Sequence, residues 1–450
     1  MNQGQKYYQL IPEKVFKSLN TIEDLLRPGI KGFSIDNLKE IISIVACHVR
    51  KEGEPAQLQI DYIKKLVPQG DKYLLKLIDL GIIERSGNAV KGQTSYKYNF
   101  SPEYQSKYVS FPLNNASLIR RIEKAQETFR KEAAKSIRGH SEQTTYLRQL
   151  TISDGYNEFI NSNYTSETDQ FNSIAGSATR IINRDIFYSI DNTSGRFHSN
   201  ITNMAKGLRP FLRIKGESLV NIDIKNSQPY LSTIILTDPG KVSNMTKNPG
   251  FALLLQNLKY KDNQDVKKYI FLVASGQFYE YLMTEFSLNR DETKRQVLRI
   301  LFARNRMPKD DINKKCRQIF KDSFPTVHRI FSKVRGHEKG DRFSNYKRFA
   351  ILLQRIESYL MLDIILKRIY KELPGTIAVT VHDSIMTGIL TNNVEAVRKI
   401  IIDELTSFVG FQPQIKIEGL IEEKSKKRRE EIISNQYVAT NLVNNIVSMN

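Results

Sequence analysis

Cysteine is scarce. The two in 450 residues, Cys47 and Cys316, stand far apart with no Cys-x-x-Cys or Cys/His spacing around either. That excludes a disulfide framework and a zinc site, and leaves two thiols for ordinary burial. Long apolar runs are missing too: nothing approaches the roughly 20 residues needed to cross a bilayer. The opening MNQGQKYYQL has no apolar secretory core. The expectation is a soluble, cytoplasmic protein with no membrane partner. Internal repeats and low-complexity tracts are also absent. An apolar share of 40% beside 26% charged residues is ordinary globular composition, in a chain long enough for two or three domains.

Acidic residues are the third shortage, 48 against 68 Lys and Arg, which leaves a net charge of +20 and a pI near 9.6. Such a surplus favours a polyanionic partner, nucleic acid first, and makes binding salt-dependent. Charge that merely kept the protein soluble would be spread evenly. Instead Arg290, Lys294, Arg295, Arg299, Arg304 and Arg306 crowd one stretch, with Lys314, Lys315, Arg317 and Lys321 close behind, as a partner surface would require.

Apolar periodicity predicts helices over 37–50, 56–66 and 72–80, the last stopped at Gly81. A strand over 82–85, a turn at Ser86-Gly87-Asn88 and the alternating TSYKYNF complete a hairpin. Three helices and a hairpin resemble a winged helix. Its third helix, carrying Lys72 and Lys76, is the element such modules offer to a major groove, although others serve only for protein docking. Residues 111–150 read as a basic helical region. Ile122, Ala125, Phe129 and Ala133 sit at core spacing, with Arg120, Arg121, Lys124, Arg130, Lys131 and Lys135 around them. That face either follows a duplex backbone or is simply solvated. A loop-rich stretch is expected over 162–176, and the tail past Glu422 (KSKKRREE) reads as an exposed helix.

The chemistry-bearing signal is a pair of segments, LVNIDIKNSQPYLS (219–232) and TIAVTVHDSIMTGIL (376–390), each with one aspartate on an otherwise apolar strand. Strict alternation sends Val220, Ile222 and Ile224 to one face and Asn221, Asp223 and Lys225 to the other. In the second segment, two β-branched runs flank His382-Asp383-Ser384 and predict a hairpin with those residues at its tip. A surface turn is the alternative there. Mg²⁺ binds through one or two carboxylates plus substrate phosphates, and two ions ~3.5–4 Å apart can clamp both oxygens of an in-line displacement. Between these segments, RDETKRQVLRILF places Arg290, Lys294, Leu298 and Phe302 at four-residue steps on one helix face. From Lys294 to Phe302 is ~12 Å at 1.5 Å per residue, about the length of a nucleoside triphosphate. Cations at one end suit β- and γ-phosphates, and the ring suits the base and sugar. A core-facing stripe should not begin with two cations.

On these residues the chain, over roughly 190–390, resembles the family A DNA polymerases and their relatives, the single-subunit phage-type RNA polymerases. Asp223 falls at the family's first metal aspartate and VHDS at its second acidic motif, [IV]HD[ES]. The helix matches RxxxKxxxxxxx[YF]. GRFHSNITNM (195–204) looks like GRxxSxxxN[LM], and FKDSFPTV (320–327) and LLQRIES (352–358) stand where relatives have an aromatic-Pro segment and a template-contacting glutamine. The resemblance implies two Mg²⁺, with Mn²⁺ as a substitute, held by Asp223, Asp383 and the carbonyl of Ile224. It implies nucleotide binding by Arg290, Lys294, Phe302 and Gln228, with Lys294 also acting as proton donor to pyrophosphate. Arg196, Gln354 and His382 would position a DNA primer-template. Three departures stand out. Gln228 replaces the DNA polymerases' glutamate while keeping bulk against a ribose 2′-OH. Ser384 matches the RNA polymerase version of its motif. Phe302-Ala303 replaces Tyr-Gly.

The implied fold is α+β, a right-hand polymerase with an N-terminal winged-helix-like module. Its segments would be 1–105 (module), 106–185 (helical thumb), 186–240 (palm), 241–345 (fingers), 346–425 (palm) and 426–450 (tail), with no room for a proofreading exonuclease. The implied activity is template-directed DNA synthesis from nucleoside triphosphates, in an enzyme compact enough for a phage or mobile element. A phage-type RNA polymerase is the nearest alternative. A winged-helix initiator or regulator on an inactive scaffold comes next, and a two-metal nuclease last.

Overall fold

A computed structural model describes residues 7–48, 54–88, 95–137, 139–164, 169–258, 263–304, 309–336, 345–389 and 393–419. The expected tail over 426–450 and Arg306 lie outside them. The described residues form two units, one of 7–188 with 199–219 and one of 189–198 with 220–419. Both mix helices with antiparallel strand pairs, in keeping with an α+β chain. Among the described residues no helix is long and apolar enough to cross a membrane.

In the first unit, helices Ile35–His48, Ile60–Leu66 and Gly70–Asp79 pack on a three-stranded sheet. Its central strand, Lys97–Phe100, lies between Ala56–Gln57 and Ile83–Ser86. Ile41, Val45, Ile63, Tyr73, Leu77 and Phe100 form its core. The third helix ends where Gly81 turns left-handed, φ +68°, a conformation glycine adopts without steric cost. The second helix starts at Ile60 rather than 56, because Ala56 and Gln57 pair with Tyr98 and Lys97 instead.

Two further expectations give way to strand pairing and helix packing. Residues 108–113 do not open a long helix: Tyr108–Leu113 alternates like a strand and pairs with Tyr7–Pro12, and the helix begins only at Ala116, behind the Asn115 cap. The loop-rich stretch is helical from Asp169 to Ile182. Gly176 lets that helix press on Ile35–His48, since a Cβ there would lie 3.1 Å from the Cys47 Cα and 3.3 Å from the Ala46 carbonyl oxygen. Half-buried Arg130 is paired with Glu127, so it leaves the basic face expected around that helix.

In the second unit, Val220–Ile224 of strand Glu217–Ile224 pairs antiparallel with Ile415–Gly419, which sets Asp223 opposite Lys416. Another neighbour of this strand is Ser384–Gly388, hairpinned to Ala378–Val381. The surrounding helices include Gln264–Ala274, Phe278–Phe286, Arg290–Phe302 and Pro325–Arg335. They share an aromatic core in which Tyr269 takes the edges of Phe278, Phe324 and Phe331 at centroid distances of 5.1, 5.5 and 5.9 Å. Arg348–Ser358 runs on through a π-helical stretch, Tyr359–Ile365, into Leu366–Glu372. Such widened turns inside α-helices are frequent beside functional sites.

Candidate active site

Asp223 is the penultimate residue of its strand, and its side chain is half-buried while those of its chain neighbours Ile222 and Ile224, on the opposite face, are buried. The predicted hairpin forms: Val381 pairs with Ser384, leaving His382 and Asp383 as a two-residue turn. His382 takes φ +58°, the left-handed region that hairpin turns usually fill with glycine. The Ser384 hydroxyl donates to the Val381 carbonyl at 3.0 Å, so the serine closes the turn. Asp383 itself is half-buried.

Helix Arg290–Phe302 occupies the residues its spacing predicts. Asn289 accepts from the Glu292 N–H at 2.9 Å while the Glu292 carboxylate reaches back to the Asn289 N–H, a reciprocal cap. At the other end the fully buried Arg335 donates to the carbonyls of Ile300 and Ala303. Burial pulls the pKa of that guanidinium down to about 10. The core face is Thr293, Gln296, Val297, Ile300 and Leu301. Arg290 and Lys294 are exposed, while Leu298 and Phe302 are half-buried, so the predicted stripe is distinct from the core face. Phe302 meets Phe349 edge-on at 6.3 Å.

Tyr279 packs at the start of this helix and feels the charge of the hairpin tip. Its ring lies 5.8 Å from the Arg290 guanidinium carbon. Burial pushes its hydroxyl pKa up, Arg290 opposes that shift, and the Asp383 charge adds to it. Arg290 is also ion-paired with Glu280. Burial alone would raise the Glu280 pKa, but the hydrogen bond from Arg290, a backbone hydrogen bond and the charges of Arg290 and Lys225 together bring it below the usual range.

A second cluster gathers around Glu357, a residue 2% exposed. Arg196 donates to both its carboxylate oxygens at 2.9 Å, and Gln228 Nε2 donates at 2.5 Å. Burial raises the Glu357 pKa to about 7, Arg196 opposing and Asp383 reinforcing the rise. Gln354 stands one helical turn before Glu357, so the two share a face. The turn bearing Arg196 is built by Asp191, whose carboxylate accepts from the backbone N–H groups of Thr193, Ser194 and Arg196. His198 lies 3.6 Å from Asp191 and edge-on to His382 at 6.1 Å.

The second unit therefore holds Arg196, Asp223, Gln228, Arg290, Lys294, Phe302, Gln354, His382 and Asp383. Lys72 and Lys76 belong to the first unit. They are exposed on helix Gly70–Asp79 beside exposed Leu75. Arg317, expected on the basic surface, is instead buried and donates to the Arg304 carbonyl at 3.1 Å. Sequence reasoning missed Glu357, Asp191, His198 and Tyr279. Only Glu357 carried a signal, as a carboxylate among the apolar positions of LLQRIES.

The donors at Asp223, Asp383 and the Ile224 carbonyl are all oxygens, as a hard divalent cation requires. Among the described residues no group of three or more Asp, Glu, His or Cys is placed to hold a metal ion. That donor chemistry is the kind Mg²⁺ takes, with water and substrate phosphates filling the other positions of such a site.

No protein-family model and no curated protein matches the chain. Among solved structures it is similar to the POL domain of Pol1 from M. smegmatis, in complex with DNA primer-template and dNTP. The identity is 11% and the TM-score 0.28, and the match covers 65% of each chain. This chain thus spans about two thirds of the length of that structure.

Proposed function

We propose that the chain is a template-directed nucleotidyltransferase, a family A-like DNA polymerase. Tyr279 carries the reading: one buried ring lies against the first cation of the Arg290–Phe302 helix and feels the charge of Asp383 at the hairpin tip. A helix face that runs from two cations to an aromatic ring thereby starts within electrostatic reach of a carboxylate turn, in a chain with 20 surplus positive charges.

Asp223, Asp383 and the Ile224 carbonyl would hold two Mg²⁺, or Mn²⁺, which when bound supply activation of the primer 3′-OH and charge bridging on the triphosphate. Arg290 and Lys294 grip the β- and γ-phosphates and offset the charge that grows on them. Lys294 Nζ passes a proton to the departing pyrophosphate oxygen. Phe302 shapes the nascent base pair. Gln228, anchored on Glu357, polices the sugar. Arg196, Gln354 and His382 align the primer-template through backbone and minor-groove contacts that carry little sequence information. The N-terminal helices and sheet act as a winged-helix module, with Lys72 and Lys76 facing DNA.

The test is extension of a labelled DNA primer-template with Mg²⁺, comparing deoxynucleotides with ribonucleotides, and wild type with Asp223→Ala and Asp383→Ala. Templated extension lost in both variants supports the reading, and the preferred sugar separates DNA from RNA synthesis. Tight duplex binding without extension, unchanged in both variants, assigns the chain to DNA-binding regulators instead.

A further inference from the structure

The first unit contains a cavity of about 370 Å³ that the proposed chemistry does not use. Its walls include His48, Tyr62, Gln126, Phe129, Arg130 and Arg180. That volume lies within the ~300–1,000 Å³ typical of small-ligand pockets.

Its two guanidiniums are already engaged. Arg130 donates to Glu127 at 3.1 Å and to the Arg184 carbonyl at 2.9 Å, and Arg180 donates to Asp185 at 2.5 Å. They do not call for an anionic ligand. The walls include two neutral acceptors, Gln126 and His48. Gln126 is 5% exposed, and its Oε1 has no hydrogen-bond partner among the described residues. A buried acceptor left this way has given up its hydrogen bond to water with nothing in return, and a ligand N–H would restore it. His48 Nδ1 lies 2.7 Å from the Ile44 carbonyl oxygen, so Nδ1 carries the proton and Nε2 keeps its lone pair. Burial holds the ring's pKa down to about 4, which keeps the imidazole neutral at physiological pH. The apolar wall is aromatic, with Tyr62 and Phe129 5.0 Å apart between ring centroids.

Two acceptors, a π-surface and no unengaged charge describe a flat, neutral, N–H-donating ligand. We propose that this cavity binds an amino-bearing nucleobase, its exocyclic amine donating to Gln126 Oε1 and its ring packed against Phe129 and Tyr62. The base can belong to a free nucleoside or to an unstacked position in a single strand. Neither source depends on the second unit being a polymerase.

Calorimetric titration of the whole chain with adenosine, cytidine, uridine and inosine tests this, on wild type, Gln126→Leu and Phe129→Leu. Adenosine and cytidine should bind at least tenfold more tightly than uridine and inosine, which lack the amine. Gln126→Leu should remove that preference without lowering the melting temperature, because it deletes an unpaired buried acceptor. A merely structural glutamine would lose stability instead. Phe129→Leu should weaken all four. Parallel titrations with oligo-dA and oligo-dT distinguish the sources: a dA preference abolished by Gln126→Leu identifies a strand base, and an effect on nucleosides alone identifies a free one. Equal affinity for adenosine and uridine overturns the proposal, as does nucleoside and oligonucleotide binding that is absent to millimolar concentration or indifferent to Gln126→Leu.

Discussion

Glu357 holds Arg196 and Gln228 at once: two 2.9 Å bonds clamp the guanidinium, and one carboxylate oxygen also takes the Gln228 amide at 2.5 Å. Two residues assigned to different partners, the primer-template and the incoming sugar, are thereby fixed by one buried carboxylate.

That carboxylate titrates near neutrality, its pKa raised by burial to about 7. It is protonated below that value, where its hold on Gln228 and Arg196 loses the charge-assisted part, worth roughly 1 kcal/mol per bond. Deoxy-over-ribo discrimination should therefore rise about tenfold from pH 6 to pH 8 in the wild type and stay flat in Glu357→Gln. Single-nucleotide incorporation ratios across that range check it, and parallel profiles for the two proteins would remove Glu357 from sugar selection.

His382 occupies a left-handed turn position, φ +58°, at a cost of about 1–3 kcal/mol for a non-glycine residue. Such strain persists where the side chain is needed. His382→Gly should leave the unfolding free energy within about 1 kcal/mol of wild type, or above it. Primer extension by the same variant should fall at least tenfold. A thermal melt and an extension assay on one preparation give both readouts, and full activity in a stable His382→Gly would make the histidine incidental.

In the proposed site, Glu280 would compete with the triphosphate for Arg290. Their ion pair is half-exposed on both sides, so breaking it should change stability by less than about 1 kcal/mol. Glu280→Gln should lower the KM for nucleotide two- to fivefold, and Arg290→Ala should raise it tenfold or more. Steady-state kinetics at low and high salt read the effect, which should shrink as salt screens it.

The local patterns were the legible part of the sequence. The Arg290–Phe302 helix, the His382-Asp383 tip and the alternation around Asp223 each depend on neighbours within a few residues; the first two form as predicted, and the third holds only from Ile222 onward, because Asn221 is buried. The misplaced elements depend on distant partners. Tyr108–Leu113 is a strand because Tyr7–Pro12 lies beside it, 100 residues away in sequence, and Ala56–Gln57 is one because of Lys97–Tyr98. Glu357 escaped for the same reason: its partners Arg196 and Gln228 lie 161 and 129 positions upstream. Arg317 looked like surface charge until the Arg304 carbonyl gave it a buried role.

Glu40 tests the electrostatics of the first unit separately. It is buried with hydrogen bonds from Gln9 Nε2 at 2.8 Å and the Tyr7 hydroxyl at 3.4 Å, and burial raises its pKa from 4.5 to about 8. A carboxyl whose pKa is higher folded than unfolded binds its proton more tightly in the native state. Stability is therefore greatest below the unfolded value of 4.5 and falls as pH rises to about 8, with no further loss from this group beyond. A shift of that size corresponds to several kcal/mol as an order of magnitude. Glu40→Gln keeps an acceptor for Gln9 and an amide for the Tyr7 oxygen but cannot ionise. It should match the wild type at pH 5 and exceed it by several degrees in melting temperature at pH 9. Melting curves across that range decide the matter, and a Glu40→Gln protein as pH-sensitive as wild type would place the linked proton elsewhere.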